Sequence, residues 1–294
     1  MRARSHGLRG GTALLTGAGG GLGPFVARAL AAEGAGLVLS GLESERGALE
    51  ALRAELRTAG AAAEVVTADL VDPDELDGLW GRAEEAAGPI DVLVNNAGYG
   101  VTAAYASFTG RELERMVAVN LTAPMVLTRH AVAAMLPRGP GHVVFMASLA
   151  GRLATAYNEP YAATKAGLIA LSQSLRAEHH GTPLGFSAIC PGMVAGAGMY
   201  TGADRGRNRL PFLARSATPE DVAAAVVRAI RRDRPEIIVS PRPMRPVVAF
   251  AALAPRASAA FLRRVGTDEV FRRMARARGR ALPPAPGGPE RSPS

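Results

Sequence analysis

A tyrosine and the only lysine of the chain stand four residues apart and could form a proton-transfer pair. Tyr161 and Lys165 would share one face of a helix, because residues four apart are neighbours there. A phenol has a pKa of about 10, and a nearby cation lowers that pKa by favouring the phenolate. Ser148, 13 residues earlier, could donate a hydrogen bond to a substrate oxygen and stabilise a developing alkoxide. Asn120 could bend its helix locally or hold a water molecule that leads to Lys165.

A glycine-rich segment follows the first apolar run and could bind a pyrophosphate. It reads Thr16-Gly17-Ala18-Gly19-Gly20-Gly21-Leu22-Gly23. Glycines allow a tight turn that brings backbone N–H groups and a helix N-terminus against the phosphates. Asp69-Leu70 could contact an adenine ring, and Asn95-Asn96-Ala97-Gly98 would let the backbone pass close to a cofactor. All three segments would lie at the carboxyl edge of one parallel sheet, which predicts a dinucleotide site there.

The elements that must position these residues form a regular alternation. Short β-branched runs alternate with longer runs rich in Ala, Arg and Glu, which predicts an α/β fold: a Rossmann-like, doubly wound sheet of seven parallel strands with helices on both faces. We predict strands at Thr12–Thr16, Leu37–Ser40, Glu64–Thr67, Asp91–Asn95, His142–Ala147, Leu184–Ile189 and Glu236–Val239. We predict helices at Leu22–Glu33, Glu45–Ala59, Pro73–Ala87, Arg111–Leu136, Tyr161–His180 and Pro219–Arg231.

Three regions follow from this pattern. Residues 1–239 are predicted to form a dinucleotide-binding and catalytic domain, and residues 240–281 a basic, amphipathic helical extension. Residues 282–294 are dominated by Pro, Gly and Ser and are predicted to be disordered. The long segment from Gly196 to Ser216 is interpreted as a lid or substrate loop.

The net charge of +8 would ordinarily suggest an acidic partner, but its distribution weakens that inference. From Arg228 onward the chain has 15 Arg and 5 acidic residues, so residues 1–227 carry a net charge of only −2. A nucleic-acid partner is not expected, because no aromatic-plus-basic module accompanies the arginines. One cysteine excludes an internal disulfide framework, and the histidines show no metal-ligand spacing, so no metal is expected. The longest apolar run, Val247–Ala254, is too short to span a bilayer, which predicts a cytoplasmic protein.

Together the motifs resemble those of classical short-chain dehydrogenases/reductases, from about Gly11 to Val239. The matching residues, in the family's order and approximate spacing, are Gly17, Gly21, Gly23, Asp69, Asn95-Asn96-Ala97-Gly98, Asn120, Ser148, Tyr161-Ala162-Ala163-Thr164-Lys165 and Pro191-Gly192. The resemblance implies a catalytic tetrad of Asn120, Ser148, Tyr161 and Lys165. Tyr161 would exchange a proton with the substrate oxygen that Ser148 polarises. Lys165 would hold the nicotinamide ribose and lower the tyrosine pKa, and Asn120 would keep a proton-relay water.

The resemblance also implies an NAD(P) site. Its expected residues are Gly17, Gly19, Gly21, Leu22, Gly23, Gly41, Asp69, Leu70, Asn96, Ala97, Gly98, Tyr161, Lys165, Pro191, Gly192 and Val194. Two positions depart from the family: Gly196 replaces a common nicotinamide-orienting Thr, and Gly41 replaces the Asp of many NAD users. Glu43 could reach a ribose and Arg46 a phosphate. NADP is favoured slightly over NAD, because Gly41 leaves room for a 2′-phosphate.

Two apolar stripes interrupt the basic extension. Val270, Phe271 and Met274 form one, and Phe250, Leu253, Phe261, Leu262 and Val265 form the other. We favour packing of these stripes on the enzyme or on a partner subunit. Peripheral contact with an anionic membrane is the second interpretation, and an acidic macromolecular partner is the third.

The sequence thus predicts an NAD(P)-dependent oxidoreductase that moves a hydride between nicotinamide and a secondary alcohol or ketone. The pocket walls Tyr99, Leu153 and Asn158 suggest a small, mostly apolar substrate. The family usually pairs through its long fourth and fifth helices, which implies a homodimer or homotetramer. The alternative is a non-catalytic dinucleotide-sensing module on the same fold.

Overall fold

A computed structural model describes residues 8–153, 155–196, 216–264 and 266–277. Its seven strands form one parallel sheet in the order β3-β2-β1-β4-β5-β6-β7. They are β1 Thr12–Thr16, β2 Gly36–Ser40, β3 Ala63–Val65, β4 Val92–Asn95, β5 Gly141–Met146, β6 Leu184–Pro191 and β7 Glu236–Val239. The predicted doubly wound α/β fold is confirmed. The strand order reverses between β1 and β4, where such sheets open a ligand crevice at their carboxyl edge.

Ten α-helices lie in the described part of the chain. They are α1 Gly23–Ala32, α2 Arg46–Thr58, α3 Pro73–Ala87, α4 Gly110–Val117, α5 Ala123–Met135, α6 Glu159–Glu178, α7 Pro219–Arg232, α8 Arg245–Leu253, α9 Pro255–Arg264 and α10 Thr267–Ala277. Short 3₁₀ turns occupy Glu43–Glu45, Tyr105–Ser107 and Leu149–Gly151.

Local side-chain chemistry explains where two of the crossover helices begin. The Asp72 carboxylate accepts hydrogen bonds from the N–H groups of Asp74 and Glu75, and Pro73 occupies the first turn of α3. Thr218 caps α7 through the N–H of Asp221, whose carboxylate accepts a hydrogen bond from the Thr218 N–H in return. Both caps satisfy N–H groups that have no partner within the helix.

Two apolar layers cover the sheet, one on each face. Alternate side chains of β1 and β2 point to opposite faces, so Leu15 joins one layer and Leu14 the other. The first layer contains buried residues of α1, α2 and α7, and the second contains those of α3, α5 and α6. The loops at the carboxyl edge therefore rest on a rigid, fully packed scaffold.

The predicted helix Arg111–Leu136 is not continuous. A π-helical turn, Ala118–Thr122, separates α4 from α5, and it contains Asn120. A π turn inserts an extra residue into the helix and shifts its register, and it often marks a functional position. The expectation that Asn120 distorts its helix is confirmed.

The C-terminal extension forms three helices in its described part. Helix α9 packs against both α8 and α10. None of the described helices is long and apolar enough to cross a bilayer. The predicted disordered tail 282–294 and most of the predicted substrate loop, residues 197–215, lie outside the described residues.

Candidate active site

The glycine loop is held tightly against the carboxyl end of β4. Gly17 has a φ of +63°, and a Cβ there would stand 2.8 Å from the Ala97 Cα. A Cβ on Gly23 would come within 2.3 Å of the Gly17 carbonyl oxygen. Only glycine fits at both positions, because larger residues would push the loop away from the β4 end or from α1.

Hydrogen bonds from Asn96 and Thr16 connect the two strand ends. The Asn96 side-chain amide donates to the carbonyls of Thr16 at 2.9 Å and Gly17 at 3.0 Å. The Thr16 hydroxyl accepts hydrogen bonds from the N–H groups of Asn96 and Ala97 at 3.1 and 3.0 Å. Asn96 therefore fixes the glycine loop, and both Asn96 and the neighbouring Ala97 line the cavity.

A cavity of about 450 Å³ runs along the carboxyl edge of the sheet. Most of the predicted cofactor residues line it, namely Gly17, Gly21, Leu22, Gly41, Asp69, Leu70, Asn96, Ala97, Gly98, Tyr161, Lys165, Pro191, Gly192 and Val194. Gly19 and Gly23 are not among the lining residues. Gly23 permits close packing of the loop on itself, and Gly19 lies under the side chain of Glu45.

Three of the four predicted catalytic residues open onto this same cavity. Ser148, Tyr161 and Lys165 line it and are otherwise buried. The Ser148 hydroxyl accepts a hydrogen bond from the Ala150 N–H at 3.1 Å, which fixes its position at the end of β5. The Lys165 Nζ donates to the Met146 carbonyl at 2.8 Å and stands 5.5 Å from the centre of the Tyr161 ring. A cation is thus held beside the phenol.

Burial shifts the pKa values of Lys165 and Cys190. Desolvation lowers the pKa of Lys165 from 10.5 to about 8, since the ammonium group is removed from water. Burial raises the pKa of the Cys190 thiol to about 12, so this cysteine stays neutral. Lys165 therefore remains mostly charged at neutral pH, although its pKa is close to that pH.

Asn120 lies next to this cavity and not in its wall. Its amide oxygen accepts a hydrogen bond from the Tyr99 N–H at 2.9 Å, and its amide nitrogen donates to the Tyr99 carbonyl at 2.8 Å and the Thr164 hydroxyl at 3.2 Å. A Cβ on Gly98 would stand 3.1 Å from both the Asn120 Oδ1 and the Lys165 Nζ. The absence of a side chain at Gly98 therefore lets these two residues approach each other.

A carboxylate that the sequence reasoning did not select also faces the cavity. Glu45 accepts a hydrogen bond from the Leu42 N–H at 3.0 Å, and a Cβ on Gly41 would stand 2.7 Å from its Oε2. The space at Gly41, on which the expectation of NADP was based, is thus occupied by an acidic group. A backbone-capping Glu three residues after Leu42 is a recognisable spacing and could have identified it. Arg115 and Val119, also missed, line the cavity from the α4 side.

The two charged residues proposed for the ribose and the phosphate bind each other instead. Arg46 donates to both carboxylate oxygens of Glu43, at 2.6 and 2.8 Å, and to the Thr67 hydroxyl at 3.1 Å. The hydrogen bonds that Glu43 accepts from Arg46 and from the Thr67 hydroxyl lower the pKa of Glu43 to about 2. Neither residue lines the cavity.

Comparison with known proteins places this geometry in a family. The family model for short chain dehydrogenases matches residues 11–207. The chain belongs to the short-chain dehydrogenase family. The sequence-based assignment is therefore confirmed, and with it the assignment of this short-chain dehydrogenase as an NAD(P)-dependent oxidoreductase.

Two curated relatives of this short-chain dehydrogenase are enzymes of ketone or hydroxyl chemistry by name. Ketoacyl reductase HetN of Nostoc sp. is 40% identical over 237 residues, which are 81% of each chain. D-beta-hydroxybutyrate dehydrogenase of Cupriavidus necator is 34% identical over 189 residues, 64% of this chain and 72% of its own.

Solved structures support the same fold. A short-chain dehydrogenase/reductase from Burkholderia phymatum, in complex with NAD, has a TM-score of 0.73 at 26% identity, covering 85% of this chain and 96% of its own. A putative gluconate 5-dehydrogenase from Beutenbergia cavernae, with bound NADP, has a TM-score of 0.71 at 30% identity, covering 80% and 97%. Members of this fold therefore bind either dinucleotide.

Within the described ranges, no group of three His, Cys, Asp or Glu side chains could hold a metal ion.

Proposed function

We propose that this enzyme interconverts a secondary alcohol and a ketone with Tyr161 as the acid and base. The observation that supports this most directly is that Ser148, Tyr161 and Lys165 face one cavity together with the glycine loop. Bound in that cavity, the dinucleotide would supply or accept the hydride. The remaining tasks, which are to orient the substrate and move a proton, belong to the side chains of this chain.

Each catalytic side chain has a separate task in the reduction of a ketone. The Ser148 hydroxyl donates a hydrogen bond to the carbonyl oxygen, and Tyr161 transfers its phenolic proton to that oxygen as negative charge develops. Lys165 stabilises the resulting phenolate, because its ammonium group lies beside the ring and is shielded from water. In the oxidation of an alcohol the same groups act in the opposite direction.

Asn120 serves this reaction as a positioning residue. Its amide is bound to the backbone of Tyr99 on one side and to Thr164 on the other, and Thr164 directly precedes Lys165. The side chain therefore fixes the end of β4 relative to α6. The proton-relay water expected from the family would be an additional role at the same residue.

The replacement Tyr161→Phe tests the mechanism. It removes one oxygen and should lower turnover by about 10²- to 10⁴-fold, the usual contribution of a positioned proton donor. Dinucleotide binding, measured as a rise in melting temperature, should persist, because the glycine loop is unchanged. Tyr105→Phe, at an exposed tyrosine outside the cavity, is the matched control.

Two outcomes would count against this proposal. Turnover that survives Tyr161→Phe nearly intact would exclude the tyrosine as the proton donor. Dinucleotide binding by the unmodified protein without turnover on a broad panel of ketones and alcohols would favour the sensing module.

We propose NAD as the preferred cofactor. The Glu45 carboxylate lies beside Gly41, in the part of the cavity that Asp69 and Leu70 also line. A carboxylate there accepts hydrogen bonds from ribose hydroxyls and repels a 2′-phosphate. The basic residue that could offset this repulsion, Arg46, is bound to Glu43 and Thr67. The proposal differs from the preference for NADP drawn from the sequence, because that preference assumed empty space at Gly41.

Calorimetric titration with both dinucleotides tests this preference without any turnover. The unmodified protein should bind NAD at least about tenfold more tightly than NADP, which corresponds to about 1.4 kcal/mol. Glu45→Gln keeps a hydrogen-bonding side chain but removes the charge. It should therefore reduce the difference between the NAD and NADP affinities, mainly by improving NADP binding. Glu55→Gln, whose native carboxylate pairs with Arg28 outside the cavity, is the control. Tighter binding of NADP by the unmodified protein would refute the role of Glu45.

The substrate we propose is a small ketone or alcohol on a mostly apolar chain. The walls include Tyr99 and Val194, and the relative HetN is named for a ketoacyl group. A panel of ketoacyl and simple aliphatic ketones of increasing chain length would rank the candidates. Preference for short, strongly polar ketones would contradict this assignment.

A homodimer or homotetramer is proposed for the assembly, as the family resemblance implies. Val117 and Met125, on the broken fourth helix, are large hydrophobic side chains that remain exposed in the single chain. Burial of these side chains between subunits would stabilise a symmetric pair. Light scattering coupled to size-exclusion chromatography measures the mass directly, and a monomer at micromolar concentration would contradict the proposal.

A further inference from the structure

Helix α8 is apolar along most of its length, yet none of its nine residues is buried. It reads Arg-Pro-Val-Val-Ala-Phe-Ala-Ala-Leu. Phe250 is 43% exposed, Leu253 is 86% exposed, and Phe261 on the adjoining α9 is 44% exposed. Eight large hydrophobic side chains are exposed in the described residues, and these three of them lie within 12 residues of each other. Such a concentration marks an interaction surface.

The same segment is strongly and uniformly basic. Residues 240–264 contain five arginines and no acidic residue, the nearest acids being Glu236 and Asp268. Arg245, Arg256, Arg263 and Arg264 are exposed. The α8–α9 surface, defined here as Arg245–Arg264, therefore combines exposed Phe and Leu with four arginines and no acidic residue of its own. Its partner must offer both an apolar layer and negative charge.

We propose that the α8–α9 surface binds an anionic lipid bilayer at its interface. Short helices with Phe and Leu on one side and Arg on the other lie in the plane of a membrane, where the apolar side chains enter the acyl boundary and the cations meet anionic headgroups. Helices of nine and ten residues are far too short to cross a bilayer, so the contact is peripheral. This inference stands independently of the proposed reaction.

Charge argues against a second copy of this chain as the occupant. A two-fold symmetric contact would place the same patch on both sides of the interface. Each copy would bring its arginines without an acid from residues 240–264 to pair with them. Burial of unpaired like charges is unfavourable. A nucleic acid would satisfy the arginines but would leave the apolar side chains in water.

Helix α10 fixes the extension to the segment that precedes the catalytic tyrosine. Phe271 and Ala275 of α10 are buried, as the sequence-based packing hypothesis expected of Phe271. The Arg272 Nε donates to the Tyr157 hydroxyl at 3.0 Å, and its guanidinium lies 5.9 Å from the centre of that ring. Tyr157 stands four residues before Tyr161, and its carbonyl accepts a hydrogen bond from the Ala103 N–H. The α8–α9 surface is therefore connected through α9 and α10 to the segment that precedes Tyr161.

This connection distinguishes the two apolar stripes predicted from the sequence. Phe271 is buried within the chain, whereas Phe250, Leu253 and Phe261 are exposed in it and are left for a partner subunit or another partner to cover. The side chains of Leu262, Val265 and Val270 lie outside the described residues. The stripe that contains Phe271 thus packs within the chain, and the stripe that contains Phe250 and Leu253 remains available to a partner.

Sedimentation with vesicles tests the proposal on the full chain. Vesicles of phosphatidylcholine alone are compared with vesicles that contain about one third phosphatidylglycerol, at low and at high salt. The protein should sediment with the anionic vesicles at low salt, and salt should weaken this binding because the arginines are exposed.

Two variants separate the apolar and the ionic contributions. Leu253→Asp should reduce the vesicle partition coefficient at least about tenfold, because it removes an inserted side chain and adds repulsion. The double replacement Arg263→Glu and Arg264→Glu should reduce it by a similar factor. Leu136→Asp, at another exposed leucine beyond the end of α5, should leave it unchanged. All substituted side chains are exposed, so thermal melting should confirm that the variants remain folded.

Several outcomes would overturn the proposal. Equal partition of Leu253→Asp and the unmodified protein would exclude the surface from membrane binding. A change in oligomeric mass on Leu253→Asp without vesicle binding would assign the surface to contacts between copies. Binding to duplex DNA without binding to anionic vesicles would assign it to nucleic acid. Tyr161→Phe should bind vesicles normally, so a failed catalytic mechanism and a failed membrane contact would be distinguishable.

Discussion

The burial of Lys165 predicts that this residue makes folding stability depend on pH in an unusual direction. In the unfolded chain the lysine holds its proton up to about pH 10.5, whereas in the folded protein its pKa is about 8. Between these values the unfolded state binds more protons, so the free energy of unfolding rises with pH. At neutral pH the buried cation therefore lowers the free energy of unfolding. This destabilisation disappears in alkaline solution, where the lysine becomes neutral.

The size of the effect follows from the pKa change. At about 1.36 kcal/mol per pKa unit, a fall in the pKa of Lys165 from 10.5 to about 8 corresponds to a destabilisation of about 3 kcal/mol at pH values below 8. Roughly 2 kcal/mol of this cost should disappear between pH 7.5 and pH 9.5, because the folded-state lysine is then mostly neutral.

The assay compares the unmodified protein with Lys165→Met, which keeps the chain length but removes the charge. Urea denaturation at pH 7.5 and pH 9.5 gives the free energy of unfolding of each protein. Titrating groups that do not interact with Lys165 contribute to both proteins and cancel in the difference. The unmodified protein should gain about 2 kcal/mol relative to the variant over this range. Tyr161→Phe, which retains the lysine, should behave like the unmodified protein.

A difference between the two proteins that stays constant from pH 7.5 to pH 9.5 would refute the reasoning. It would mean that the folded-state pKa of Lys165 is close to that of the unfolded chain. The Met146 carbonyl, which accepts its hydrogen bond, would then compensate the lost hydration in full. A gain in the opposite direction would mean that the cation is stabilised by the fold.

Three further predictions concern the supports of the site. Gly23→Ala should lower the free energy of unfolding, measured in urea, by about 1–3 kcal/mol, because its Cβ would stand 2.3 Å from the Gly17 carbonyl oxygen. The matched replacement Gly47→Ala, which has open space around it in α2, should raise the free energy of unfolding by about 0.5–1 kcal/mol. Asn120→Ala should cost about 2 kcal/mol, since it leaves the Tyr99 N–H and C=O without their partner, and a loss under about 0.5 kcal/mol would contradict this. Asp72→Ala should cost about 1 kcal/mol through loss of the α3 cap, and an unchanged urea midpoint would show that the cap is dispensable.

Short-range patterns were sufficient to predict the order of the elements and most of the cavity wall. Glycines at Gly17 and Gly21, followed by a helix, and an Asn95-Asn96-Ala97-Gly98 segment at the end of a strand are local signals. Parallel topology then places all such strand ends on one edge, so the lining residues could be grouped before their distances were known. The Tyr161 and Lys165 pair was predictable for the same reason, because helical spacing alone puts both on one face.

The sequence alone therefore determined the fold class, the family and the residues at the sheet edge, since each depends on periodicity, order or spacing along the chain. Tertiary structure decided the details that depend on which atoms share a space. It placed the Glu45 carboxylate beside Gly41, where a missing Cβ leaves room for it, and the proposed preference for NAD rests on this placement. It divided the fourth helix at Asn120, whose amide binds the distant backbone of Tyr99. It also left Leu253 exposed while burying Phe271, because an apolar pattern specifies a face that needs covering but not what covers it.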